Sequence, residues 1–109
     1  MADSPKVDAS EPEVPRRLTI VDGPGMGTVF PLILKETLIG RIDSAHLVLD
    51  HVSVSRLHAR IVLKDSDAYV QDLHSREGTW VNGVAVGVPR KLESGDVLSF
   101  GDVVATFAC

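Results

Sequence analysis

Arg41, Ser55 and Arg56 are the side chains of this sequence best able to do chemistry together, all within residues 39–58, IGRIDSAHLVLDHVSVSRLH. Two planar guanidinia and a hydroxyl converging on one small space make an anion site. Phosphate is its most natural ligand, because the guanidinium fork matches phosphate oxygens bidentately. Between Gly40-Arg41 and Ser55-Arg56-Leu57-His58 lies a short apolar run, Leu47-Val48-Leu49, of strand length. The two polar pieces meet only if the chain doubles back there, so a scaffold must bring them to one edge.

That scaffold reads as strands. Residues 18–21 are β-type, followed by the turn-rich Asp22-Gly23-Pro24-Gly25-Met26-Gly27 and a second run over 28–32, a hairpin with a wide glycine loop. Residues 37–39, 59–63, 68–73, 97–100 and 103–107 have the same character, separated by turns such as Lys64-Asp65-Ser66-Asp67 and Glu93-Ser94-Gly95-Asp96. Within 79–86, Asn82-Gly83 flanked by β formers predicts a two-residue type I′ hairpin, whose turn residues both need positive φ. No segment supports a long helix. The fold class is all-β, a two-sheet β-sandwich of about 10–11 short strands with recognition loops gathered at one end.

Composition narrows the function. A chain of 109 residues carries one modest core, and with three Phe, one Tyr and one Trp that core must be aliphatic. The net charge of -4 is concentrated in residues 1–15, where Asp3, Asp8, Glu11 and Glu13 stand against Lys6. With Pro5, Pro12 and Pro15 there as well, 1–15 reads as an acidic tail or linker and 16–109 as the domain. A body this close to neutral is no general polyphosphate binder, so nucleic acid is not an expected partner. The lone cysteine, Cys109, allows no intrachain disulfide, and neither a leader nor a membrane span is visible. A cytoplasmic, monomeric domain is the expectation.

Other chemistries fit poorly. His46, His51, His58 and His74 match no zinc spacing, so no metal is expected. Ser55, His58 and Asp72 lack a nucleophile-elbow context. The glycine loop at 22–27 lacks the Lys-Ser/Thr and helix of a phosphate loop. The plainest alternative has Arg41 and Arg56 as surface arginines pairing with Asp43, Asp50 or Asp72.

Gly40-Arg41, Ser55-Arg56-Leu57-His58, Gly78-Thr79-Trp80-Val81-Asn82-Gly83 and a late Gly-Asp-Val-Leu-Ser-Phe-Gly segment occur in that order. The pattern resembles the forkhead-associated (FHA) domain over about residues 17 to 107. The resemblance implies a non-catalytic signalling module without a cofactor. Its loops would bind a phosphothreonine-containing protein or peptide, downstream of a Ser/Thr kinase. It assigns Arg41, Ser55, Arg56 and Arg76 to the phosphate and Glu77 to the peptide. Gly40, His58, Gly78 and Asn82 would support the site, His58 and Asn82 by tying loops together and Gly40 by letting the backbone turn without a Cβ.

One position departs from the pattern. Glu77 stands where the family usually has Asn, and an ionised carboxylate only accepts hydrogen bonds. Its repulsion of a nearby phosphate is of order 1 kcal/mol before screening. The expectation is a site weakened rather than abolished. The alternative is an FHA-fold interaction module that binds independently of phosphate.

Overall fold

The computed structural model describes residues 16–109, and the expected acidic tail lies outside the described residues. Eleven strands follow in order: β1 (Arg17–Asp22), β2 (Val29–Pro31), β3 (Glu36–Gly40), β4 (Leu47–Val48), β5 (Ala59–Lys64), β6 (Asp67–Asp72), β7 (Thr79–Val81), β8 (Val84–Ala85), β9 (Arg90–Lys91), β10 (Val97–Phe100) and β11 (Val103–Ala108). They form a six-stranded sheet, β2-β1-β11-β10-β7-β8, and a five-stranded sheet, β4-β3-β5-β6-β9. The all-β sandwich is what the pattern of short runs predicted.

Period-two alternation decides which side chains meet. Leu18 and Ile20, Leu98 and Phe100, and Val103, Ala105 and Phe107 point inward from the first sheet. Ile39, Ile61, Ala68 and Val70 answer from the second. The core is aliphatic around two phenylalanines, and each fully buried Leu, Ile or Phe contributes about 1.5–3 kcal/mol. Hairpin turns fix the register. Asn82 (φ 51°) and Gly83 (φ 81°) turn between the paired Val81 and Val84, as expected of Asn-Gly. Asp65-Ser66 turns between Lys64 and Asp67.

One core position is imperfect. Thr37 on β3 is 1% exposed, and its hydroxyl has no hydrogen-bond partner among the described residues. An unsatisfied buried hydroxyl costs about 1–3 kcal/mol, whereas an apolar group of the same shape costs nothing. Thr37→Val is therefore expected to stabilise the fold by about 1 kcal/mol. A rise in the denaturant midpoint at unchanged m-value is the signature to look for.

What matters for function is where strands end. β5 runs antiparallel to both β3 and β6. The exit of β3 at Gly40, the entry to β5 at Ala59 and the exit of β6 at Asp72 thus share one end of the sandwich.

Candidate functional site

Backbone pairing fixes the first half of this end. Val54, 1% exposed, anchors the β4–β5 loop in the core. Just after it, the N–H of Arg41 donates to the Ser55 carbonyl (3.0 Å) and that of Ile42 to the Arg56 carbonyl (3.3 Å). The approach is so close that a Cβ on Gly40 would stand 2.0 Å from the Arg56 carbonyl oxygen. Gly40 is not among the positive-φ glycines. The sequence reading of it as a turn residue is thereby corrected: glycine is required because another backbone passes over it.

His58 stands beneath both halves, fully buried and edge-on to Phe100 at a centroid distance of 5.9 Å. Its Nδ1 accepts the Ser55 N–H (3.0 Å), and its Nε2 lies 2.8 Å from the Gly78 carbonyl. Nδ1 must then be bare and Nε2 protonated, so the ring is neutral in one tautomer. Burial lowers its pKa, and the Gly78 carbonyl with the charges of Asp72 and Glu77 only partly opposes this. Ser55 and His58 form no hydroxyl–imidazole pair, since the ring meets the Ser55 amide rather than its hydroxyl.

That arrangement sets a pH dependence. In the unfolded chain this imidazole titrates near about 6.5, higher than in the fold. Its stabilising contribution is complete above that value and declines as pH falls from there toward the lowered folded pKa. The thermal midpoint is expected to drop between about pH 7 and pH 5, with a shallower drop in His58→Gln; equal slopes in the two proteins would remove His58 as the cause.

Asp72 builds the second half. Its carboxylate accepts the Ser75 N–H (3.1 Å), the Ser75 hydroxyl (2.5 Å) and the Thr79 hydroxyl (2.6 Å). Burial raises its pKa, but these bonds together outweigh that and hold it below the ordinary carboxylate value. Ser75 Oγ in turn accepts the Gly78 N–H (3.0 Å), closing a loop that bends through positive φ at His74 (58°) and Gly78 (94°). The two halves are then stitched together, because Ser55 Oγ accepts the Arg76 N–H at 3.0 Å. The hydroxyl keeps its own proton to donate. Ser53 makes a similar stitch, accepting the Asp102 N–H (2.8 Å) from the β10–β11 turn.

The result is an open recess of about 390 Å³, with Arg41, Ser55, Arg56 and Arg76 on its wall beside His74, Val52 and Leu57. No carboxylate lines it. Arg41 Nε donates to the Val54 carbonyl (2.9 Å), which aims the rest of the guanidinium while leaving its terminal nitrogens available. Among the described residues, none of the ion pairs involves Arg41, Arg56 or Arg76. Asp72, one of the proposed partners, is occupied by Ser75 and Thr79. The four residues assigned to phosphate thus converge, Ser55 included. Glu77 is exposed beside Arg76 but outside the recess.

Asn82 is placed differently. Its side chain donates to Asp96 Oδ1 (2.9 Å) and accepts the Val97 N–H (2.9 Å), at the opposite end of β7 from Gly78. It braces the hairpin against the turn before β10 rather than touching the recess. Sequence reasoning gave no role in the site to Ser75 and Ser53, and weighed Asp72 and His74 only for other chemistries. The signal for Asp72 and Ser75 was the Asp-x-x-Ser spacing of a side-chain-capped turn. Among the described residues no group of His, Cys, Asp and Glu could hold a metal.

A β-sandwich whose end loops carry an acid-free arginine recess is built as a recognition module. The chain belongs to the FHA domain family, whose pattern matches residues 37–101. It is 35% identical over 91 residues to the FHA domain-containing protein FhaB of Mycolicibacterium smegmatis, covering 84% of this chain and 59% of that protein. The chain thus spans about three fifths of the length of such curated relatives. Among solved structures, Mycobacterium tuberculosis EmbR in complex with a low-affinity phosphopeptide superposes with a TM-score of 0.82 at 31% identity, over 93% of this chain and 26% of EmbR. An FHA domain solved in a study of phosphothreonine-dependent interactions gives 0.79 at 31% identity, over 86% and 95% of the two chains.

Proposed function

We propose that this protein binds phosphothreonine-containing partner proteins through the recess, with no chemistry performed on them. The observation that carries the reading is the convergence of Arg41, Arg56 and Arg76 with the Ser55 hydroxyl on a space that no carboxylate lines. A phosphomonoester brings about -1.5 to -2 charges and three acceptor oxygens, which this donor set complements. In this reading Arg41 and Arg56 hold the phosphate directly, Ser55 donates its proton to a phosphate oxygen, and Arg76 closes the wall. EmbR, solved with a phosphopeptide, supports the same use of the fold. In this reading a Ser/Thr kinase acting upstream supplies the ligand, and the interaction takes place in the cytoplasm.

Threonine is favoured over serine because Val52 and Leu57 border the recess and can take the γ-methyl. Burying that methyl is worth about 0.8 kcal/mol, roughly fourfold. The stiffer χ1 of the β-branched side chain adds to this by aiming the phosphate before contact. The test is calorimetry with one peptide in phosphothreonine, phosphoserine and unmodified forms. The expected order of affinity is the order just given. Equal binding of the two phosphorylated forms would remove the threonine preference, and equal binding of the unmodified peptide would establish the phosphate-independent alternative instead.

A further inference from the structure

Glu77 and Trp80 form a corner outside the recess that the phosphate does not use. Trp80 lies on β7 with neighbours Thr79 and Val81 buried, so its own side chain faces out, 39% exposed. Its indole N–H points at the Glu77 carbonyl (3.5 Å), and a Cβ on Gly78 would stand 3.0 Å from Trp80 Nε1. The ring is therefore packed against the Glu77-Gly78 backbone. Among the described residues the Glu77 carboxylate has no hydrogen bond or ion pair, and its charge acts on buried His58. An unpaired carboxylate on a residue whose backbone meets an exposed indole makes a place for a cation: the carboxylate attracts it and the ring face accommodates it.

We propose that this corner receives a lysine or arginine side chain of the bound phosphopeptide, so that favoured partners carry a basic residue near the phosphothreonine. The inference rests on the phosphopeptide reading above. It gives the departure from Asn a positive role and divides the ligand's charges: the three arginines take the phosphate and repel cations, while Glu77, one residue beyond Arg76, takes the cation and repels acidic neighbours. Selection by repulsion as well as attraction is the usual way such a surface gains specificity.

The test uses phosphothreonine peptides carrying Lys, Ala or Glu at each flanking position in turn, titrated against the wild type, Glu77→Gln and Glu77→Lys. In the wild type, Lys is expected to beat Ala at one position by about fivefold, and Glu by more. Glu77→Gln should reduce the Lys-to-Ala ratio to within about twofold, and Glu77→Lys should invert the order of Lys and Glu. Trp80 is the chain's single tryptophan, so its emission reports directly: the Lys peptide should shift it and the Ala peptide should not. Phosphate-dependent binding with no basic preference, or a preference unchanged in Glu77→Gln, overturns the corner while leaving the phosphopeptide reading intact. Binding that ignores both the phosphate and Arg41→Ala overturns that reading, and the corner with it.

Discussion

Arg41→Ala is expected to weaken phosphothreonine-peptide binding by about 30-fold or more while leaving the fold almost as stable. A charge-assisted bond from a guanidinium to phosphate is worth about 1.5–3 kcal/mol, and 2–3 kcal/mol corresponds to about 30- to 150-fold in Kd. Arg41 is singled out from Arg56 and Arg76 because the Val54 carbonyl already holds its Nε, so less side-chain entropy is lost on binding. The same bond limits the damage to stability, since a single part-exposed hydrogen bond contributes only about 1 kcal/mol. Arg41→Lys should fall between the two proteins, a compact ammonium keeping the charge but losing the fork. Calorimetric titration together with a thermal melt separates the two effects.

His58→Ala should do the reverse, losing stability first and binding as a consequence. The truncation orphans the Ser55 N–H and the Gly78 carbonyl beneath the recess and leaves a void against Phe100. Unsatisfied buried groups cost about 1–3 kcal/mol each, so the sum with the cavity is about 3–5 kcal/mol. For a domain of this size that lowers Tm by at least about 12 °C. Because Ser55 and Gly78 belong to different loops, the survivors should also bind phosphopeptide less tightly. His58→Gln keeps one acceptor and one donor and should recover part of both losses; an alanine variant as stable as the wild type would show that the two bonds are unimportant.

Much of this was legible where the cause is local. Asn82-Gly83 declared its hairpin because two consecutive positive φ values favour those residue types, and the structure has both. The recess residues were legible as a set only through the FHA pattern, because arginines at spaced loop positions serve equally as surface ion pairs and Arg76 entered by the resemblance alone. What sequence could not supply depends on non-local contact. The parallel pairing of β3 with β4, and β9 joining β6 while β10 joins the other sheet, follow from how the sheets close rather than from any strand's own pattern. Gly40 looked like a turn glycine because nothing nearby in sequence reveals that Arg56 passes over it. Asp72 looked like a spare carboxylate because its partners, Ser75 and Thr79, are named only once the loop bends through His74 and Gly78. Asn82 was credited with tying the recognition loops, and only the register of β7 against β10 shows that it points to the far end.

Amide NMR of the labelled protein, titrated with a phosphothreonine peptide and its unmodified twin, tests the central claim most directly. Phosphate held in the recess should move the amides of Arg41, Ser55, Arg56 and Arg76 most, saturably and only with the phosphorylated peptide. Shifts centred on Asn82 and Asp96 at the far end of β7, or equal shifts with both peptides, would contradict it.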